Sequence, residues 1–384
     1  MKRFTFLAIA SILALSLSAK PCNVKMGAER TAQYFPLLRN KRVAVLSNQT
    51  STVGKEHLVD VLVKNKIKVV GIYSPEHGFR GTADAGEHVS SSIDKKTGIP
   101  IWSLYGGKEK SKSDQYDVLL FDIQDVGLRF YTYYVTMTKL MDECARASKQ
   151  MIVLDRPNPN GFYVDGPILD MKHKSGVGWL PIPIVHGMTL GELAQMINGE
   201  KWLPQGRQCK LIVIPCENYM HQTRYELPIA PSPNLPNIHS IYLYPSTCLF
   251  EGTVVSLGRG TSYPFEIYGH PNYKGSTFSF TPQSIPGAKN PPLLNQKCYG
   301  VDLRKVSNEE IWKKGFDLSY VVDAYQNLKM GDKFFSAFFE KLVGVDYIRQ
   351  DIINGKSAEQ ISQKWKCDVD KFKAQRRPYL LYKE

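Results

Sequence analysis

The segment Ser74-Pro75-Glu76-His77-Gly78-Phe79-Arg80-Gly81 sets a carboxylic acid beside an imidazole, directly after the apolar run Lys68-Val69-Val70-Gly71-Ile72-Tyr73. Both groups move protons near neutral pH. A carboxyl flanked by Pro75 and Phe79 is partly withdrawn from water, which raises its pKa and suits a general acid. The bland alternative is a turn in which the carboxylate bonds to backbone. The arrangement recurs twice. The run 118–121 leads into Asp122, Gln124, Asp125 and Arg129, with Tyr131 following; the run 151–154 leads into Asp155, Arg156, Asn158 and Asn160. Asp122 and Asp125 are close enough to share charge with Arg129, or to form only a salt-bridged loop. Asp155-Arg156-Pro157-Asn158-Pro159-Asn160-Gly161 is a rigid turn sequence, whose amides also suit sugar hydroxyls and acetamido groups.

These groups need elements to hold them. Residues 42–46 read as a strand ending in Ser47-Asn48-Gln49-Thr50, 56–65 as a helix and 67–73 as the next strand. Residues 117–121 read as a buried strand, 131–149 as a helix, 151–154 and 211–214 as strands. Thr189-Leu190-Gly191-Glu192 is a capping box opening a helix through 197. Strands alternating with helices imply an α/β domain with a mostly parallel sheet, and such sheets bind ligands at the carboxyl ends of their strands. Three strand ends loaded with polar groups therefore point to one site.

The proline-rich stretch 228–236 makes a domain junction, giving expected domains at 23–236 and 237–384. In the second, 270–300 reads as loops with a short strand near Phe278. Capping boxes at Ser307-Asn308-Glu309-Glu310 and Ser357-Ala358-Glu359-Gln360 open helices. Phe334, Phe335, Phe338 and Phe339 form an apolar helix face belonging to the core.

Composition narrows the setting. Of 384 residues, 43% are hydrophobic and 22% charged, as in ordinary globular proteins. Residues 1–19 join a positive start, Lys2 and Arg3, to an apolar run and small residues at Ser16, Ser18 and Ala19, the pattern of a cleaved secretory signal. Its apolar run is short for a membrane span, and no later segment is expected to cross a bilayer. The expected location is secreted or periplasmic. Lys20-Pro21 is a poor lipidation context for Cys22. Loss of Lys2 and Arg3 takes the formal charge from +13 to +11. A basic protein outside the cytoplasm meets anionic cell-wall polymers, so nucleic acid is not an expected partner. The seven cysteines lack metal-type spacing and read mostly as small buried thiols; Cys209 and Cys216 are poorly placed to pair.

Other chemistries find little support. His77, Asp84, Glu87 and His88 are close in sequence, but the chain lacks His-Glu-x-x-His and paired Cys spacing. Gly258-Arg259-Gly260 lacks the third glycine of a dinucleotide fingerprint, Gly106-Gly107-Lys108-Glu109 is no Walker loop, and a Gly-x-Ser-x-Gly elbow is absent.

Several strings occur together in order: Leu46-Ser47-Asn48-Gln49-Thr50, Ser74-Pro75-Glu76-His77-Gly78, Asp122-Ile123-Gln124-Asp125-Val126-Gly127 with Arg129-Phe130-Tyr131, and Asp155-Arg156-Pro157-Asn158-Pro159. Then come His186-Gly187-Met188-Thr189, Pro231-Ser232-Pro233-Asn234-Leu235-Pro236, Leu249-Phe250-Glu251-Gly252-Thr253, Gly258-Arg259-Gly260-Thr261 with Pro264-Phe265-Glu266, and Arg377-Pro378-Tyr379-Leu380-Leu381-Tyr382. Over nearly the whole mature length the chain resembles the exo-β-N-acetylmuramidase family of glycoside hydrolases. The resemblance implies a Rossmann-like domain, a smaller C-terminal α+β domain and an active-site cleft between them. It implies release of terminal N-acetylmuramic acid from the non-reducing end of peptidoglycan fragments, with neither nucleotide nor metal required. Carried onto this chain, it favours Glu76 as catalytic acid, with Asp125 activating water or orienting the 2-acetamido group. Asn48, His77, Asp122, Arg129, Tyr131, Asp155, Asn158, His186, Asn234, Glu251, Arg259 and Thr261 are the expected substrate contacts. Arg129 and Arg259, beside glycines, are the candidates to grip the lactyl carboxylate of muramic acid. The rival readings are a metal-dependent wall ester or amide hydrolase and a non-catalytic muropeptide-binding protein. Oligomeric state stays open.

Overall fold

Period-two alternation builds the centre of the protein. The computed structural model describes residues 23–75, 79, 92–104 and 111–384; the expected leader, Cys22, Glu76, His77, Asp84, Glu87 and His88 lie outside them. In β1 (Val43–Ser47), Val43 and Val45 enter one core and Ala44 and Leu46 the other. A small hairpin follows, β2 (Thr52–Val53) with β3 (Glu56–His57), then β4 (Val69–Ser74), β5 (Ser92–Ile93), β6 (Pro100–Ser103), β7 (Val118–Asp122), β8 (Gln150–Leu154) and β9 (Lys210–Ile214). In β7 and β8 the alternation repeats: Val118, Leu120, Ile152 and Leu154 face the first core, Leu119, Phe121, Met151 and Val153 the second. A sheet buried on both faces is the expected partner of parallel pairing. Its order is β5-β6-β4-β1-β7-β8-β9, and β5 alone runs antiparallel to its neighbour.

Helices α1 (Thr31–Leu38) and α2 (Leu58–Lys64) supply residues to the first core; α3 (Tyr133–Arg146) and α4 (Leu190–Gly199) pack into the second. The capping box of α4 forms as expected: Thr189 Oγ1 accepts from Glu192 N at 3.3 Å, and Thr189 N donates to Glu192 Oε2 at 2.9 Å. The helix expected over 56–65 starts later, at Leu58, because Glu56 and His57 pair with β2.

The second half opens with α5 (Ile238–Thr247), whose Asn237 side chain accepts from Ser240 N at 2.8 Å. Eight consecutive residues of this helix, from Ser240 on, are buried, so it shows no amphipathic stripe. A small antiparallel sheet follows, in the order β10 (Ile267–His270), β12 (Cys298–Asp302), β11 (Ser279–Phe280). Helices α6 (Asn308–Lys314), α7 (Ser319–Leu328), α8 (Phe338–Val343), α9 (Tyr347–Ile353), α10 (Ala358–Ser362) and α11 (Lys366–Arg376) complete the chain. The capping boxes at Ser307 and Ser357 both form. Phe334, Phe335 and Phe339 are core residues, though a break after Phe335 separates them into two turns. The C-terminal tail returns to the first half. Tyr382 Oη donates to Asp155 at 2.6 Å, and Leu381 N donates to Glu192 Oε1 at 2.8 Å. The six described cysteines are free, and all but Cys367 are buried. Among the described residues no helix is long and apolar enough to cross a membrane.

Candidate active site

Parallel pairing brings the polar strand ends to one edge. Ser47 lies opposite Asp122, and Ser74 opposite Ser103, so the loops after β1, β4 and β7 leave the same side. Glu76 follows Ser74 by two positions in the sequence. Its neighbour Pro75 is buried, as is Phe79, which meets His57 edge-on at 4.8 Å.

Where this edge meets the second half, a cavity of about 350 Å³ opens between the loop after β7 and residues 232–265. That is within the range of small-molecule sites. Tyr131 and Tyr133 form one wall, edge to face at 5.1 Å. Tyr131 Oη donates to Pro231 O at 2.9 Å. Asn48 is buried beneath: its amide donates to Tyr133 Oη at 3.1 Å, while its carbonyl oxygen accepts from Thr50 N and Oγ1 at 2.9 and 2.6 Å. Asn48 thus places a wall residue and does not itself line the cavity. Opposite, Tyr244 from α5 packs edge-on against Phe265 at 4.7 Å. Arg259 lies over Phe265 at 5.1 Å and donates through Nη2 and Nε to Glu251 Oε1, at 2.7 and 3.2 Å. Among the described residues its Nη1 has no hydrogen-bond partner. Asn234 lines the cavity and is fixed by Nδ2 to Gly287 O at 2.8 Å.

Four expected contacts, Tyr131, Asn234, Glu251 and Arg259, therefore converge. Tyr133, Tyr244 and Phe265 join them without having been singled out. Tyr244 sits in the helix that has no amphipathic signature, and Phe265 takes φ of 66°, a backbone state that residue type does not announce.

Other expected contacts are committed elsewhere. Asp122 is fully buried and binds Arg156 through two bonds, at 2.5 and 2.9 Å, instead of sharing charge with Arg129. Arg129 is also fully buried. Its guanidinium donates to the carbonyls of Pro167, Ile182, Leu342 and Val343 at 2.7–3.0 Å. It ties the loop after β7 to Pro167, Ile182 and the end of α8, and its full burial keeps it from a substrate carboxylate. Asp155 accepts from Thr189 Oγ1, Gly191 N and Tyr382 Oη, so it holds the start of α4 and the chain end. Asn158 donates to Met188 O and accepts from Asn160 N. Its amide lies where a Cβ on Gly127 would sit, at 2.2 Å, and Gly127 has φ of 79°; only glycine suits that position. His186 is fully buried, its Nδ1 accepting from Met188 N, and burial with Arg376 nearby lowers its pKa to about 3. Thr261 closes its own turn onto Gly258 O at 2.7 Å and lines a neighbouring groove.

Asp125 stands behind the aromatic wall. It borders a water-sized cavity, its Oδ1 accepts from Gly127 N at 2.7 Å, and its Oδ2 is buried with no hydrogen-bond partner. Its charge acts on Tyr131. Burial pushes its pKa from 3.8 up to about 7. Below pH 4 both folded and unfolded chains hold this proton. Between pH 4 and 7 the unfolded chain releases it first, so stability falls as pH rises. Asp125→Asn should therefore gain stability over the wild type between pH 4 and pH 8, by up to about 4 kcal/mol if the full shift is realised. Thermal melts at both pH values check this; a constant difference between the two proteins would refute it.

An aromatic-walled pocket with a positioned cation–anion pair can hold a ring bearing both hydroxyls and a carboxylate. Comparison with known proteins points the same way. Residues 43–239 match the family model "Exo-beta-N-acetylmuramidase NamZ, N-terminal", and residues 242–382 match its C-terminal counterpart. The chain is 36% identical to the peptidoglycan beta-N-acetylmuramidase NamZ of Bacillus subtilis (strain 168), across 95% of this chain and 93% of that one. Two crystal structures of DUF1343 family proteins from Bacteroides fragilis NCTC 9343 share the fold. One has a TM-score of 0.89 at 62% identity, covering 94% of this chain and 99% of that chain. The other has a TM-score of 0.79 at 28% identity, covering 95% and 100%. With both halves matched in order, the chain belongs to the exo-β-N-acetylmuramidase NamZ family of glycoside hydrolases.

Proposed function

We propose that this protein is an exo-acting hydrolase that removes β-linked N-acetylmuramic acid from the non-reducing end of peptidoglycan fragments, working outside the cytoplasm after loss of residues 1–19. The observation that carries the reading is the Arg259–Glu251 pair set in an aromatic pocket. Arg259 keeps a donor edge for the lactyl carboxylate, and Glu251 holds its plane. Glu76, two residues past β4, protonates the glycosidic oxygen. Asp125, whose pKa burial raises to about 7, can exchange a proton near neutral pH and activates water or orients the 2-acetamido group. The direct test is product analysis. Glycan fragments ending in N-acetylmuramic acid are incubated with the purified protein and followed by mass spectrometry. Free N-acetylmuramic acid should be the new monosaccharide from the earliest time point. Internal chain cuts, or release of peptide or acetate without sugar, would contradict the reading.

Arg259 carries a second expectation. Lysine keeps the charge but not the planar fork. Arg259→Lys should lower kcat/KM on muramic acid substrates about 10- to 100-fold, as expected for losing a hydrogen bond to a charged group. The matched N-acetylglucosamine analogue should lose far less. Equal losses on both substrates would give Arg259 a purely structural role.

A further inference from the structure

Among the described residues five cysteines are buried, and three of them are settled with other partners. Cys216 Sγ donates to Asp155 O at 3.3 Å, Cys298 Sγ lies 3.6 Å from Gln296 O, and Cys248 bonds to the Tyr244 hydroxyl. Cys144 and Cys209 instead meet each other, thiol to thiol. The sheet brings them together. Cys144 sits in the last turn of α3, and its carbonyl accepts from Lys149 N at 2.8 Å, which folds the chain straight back into β8. β8 pairs in parallel with β9 from its first residue, Gln150 opposite Lys210. Cys209, one position before β9, therefore lies beside that turn. Both side chains belong to the second core, at 0% and 5% exposure. Their surroundings hold them in place. Asn198 of α4 grips the Cys209 backbone twice, its Nδ2 donating to the carbonyl at 2.8 Å and its Oδ1 accepting from the amide at 2.9 Å. The Tyr116 hydroxyl, anchored on Glu143 Oε1 at 3.1 Å, lies 3.8 Å from Cys144 Sγ.

We propose that Cys144 and Cys209 close to a disulfide as the protein folds outside the cytoplasm, stapling the edge strand β9 to α3; the inference rests on the location proposed above. A disulfide joins only residues whose side chains already approach closely, and this pair meets that requirement on backbones fixed by Asn198 and the α3–β8 turn. An oxidising compartment supplies the reagent that the cytosol withholds. One cysteine, as thiolate, attacks the disulfide of a thiol–disulfide oxidant. The other thiolate then displaces the oxidant from the mixed disulfide. Two S–H bonds are lost and one S–S bond forms; two protons leave to solvent, and two electrons reduce the oxidant to its dithiol. The finished core covers both sulfurs, so the step belongs to folding, before α3 closes on the sheet. The bond has a clear mechanical use. β9 ends the seven-stranded sheet and is paired on one side only. The segment enclosed between the two cysteines contains β8, the turn at 155–160 and α4, and the crosslink restrains all of it in the unfolded chain.

For the test, the full chain is unfolded with reductant, refolded in a glutathione redox buffer, blocked with an alkylating reagent and digested without reduction. Mass spectrometry should find the Cys144 and Cys209 peptides joined, about 2 Da lighter than their sum, as loss of two hydrogens requires. The wild-type Tm should fall by about 5–15 °C when dithiothreitol is added. Cys209→Ala, which leaves a single thiol of the pair, should melt at one temperature with and without it. Recovery of both thiols alkylated, or a wild-type Tm that reductant does not move, would overturn the proposal. Failure of the location reading looks different: protein collected from its own cells would keep residues 1–19 and carry both thiols reduced, while the refolded chain would still form the bond.

Discussion

Glu76→Gln should leave a folded protein that binds its substrate and barely turns it over. A positioned acid contributes roughly 10²- to 10⁴-fold to rate, and glutamine keeps the size of the side chain while removing the transferable proton. The loss should be smaller on a nitrophenyl β-muramide, because a nitrophenolate leaves without much protonation. The comparison is kcat on that substrate and on a muramic acid–glucosamine disaccharide, beside a thermal melt. Near-normal turnover by a folded variant would remove Glu76 from the mechanism. The acid would then be sought at Asp125 or Glu251, since Asp122 is already bound by Arg156.

The second large effect is on stability. Arg129→Ala removes donors to four buried carbonyls and empties a fully buried site. Unsatisfied polar groups and a cavity together place it among the severe substitutions, at about 4 kcal/mol or more. Arg129→Lys should also be costly, because a single ammonium has three donors and no fork to reach carbonyls on both sides. Chemical denaturation checks both variants. If Arg129→Lys keeps wild-type stability and loses only muramic acid selectivity, Arg129 contacts the substrate and its role as a clip is wrong.

The contrast between Arg129 and Arg259 marks what local sequence can reveal. Arg259 follows Gly258 and Arg129 stands two positions after Gly127, each in a distinctive string, and both were expected to meet a carboxylate. One faces a pocket; the other is consumed by Leu342 and Val343, more than 200 positions away. Asp155 likewise finds Tyr382 at the far end of the chain. Such long-range partners decide whether a polar group serves the ligand or the scaffold, and no local pattern encodes them. The strands were legible, because β1, β7 and β8 are short buried runs with helices between them. The capping boxes were legible because their partners are three residues apart. Helix α5 was not, since a helix buried on nearly every side loses its periodic signal, and Tyr244 stayed hidden with it.

The most direct test of the central claim is a comparison of two chromogenic substrates, a β-N-acetylmuramide and the matching β-N-acetylglucosaminide, with the purified protein. They differ by the lactyl ether alone, the group assigned to Arg259. The muramide should be hydrolysed with kcat/KM about 100-fold or more above that of the glucosaminide, the discrimination expected when a site built to hydrogen-bond a substrate group meets an analogue that lacks it. Equal rates on the two, or release of chromophore from neither, would contradict it.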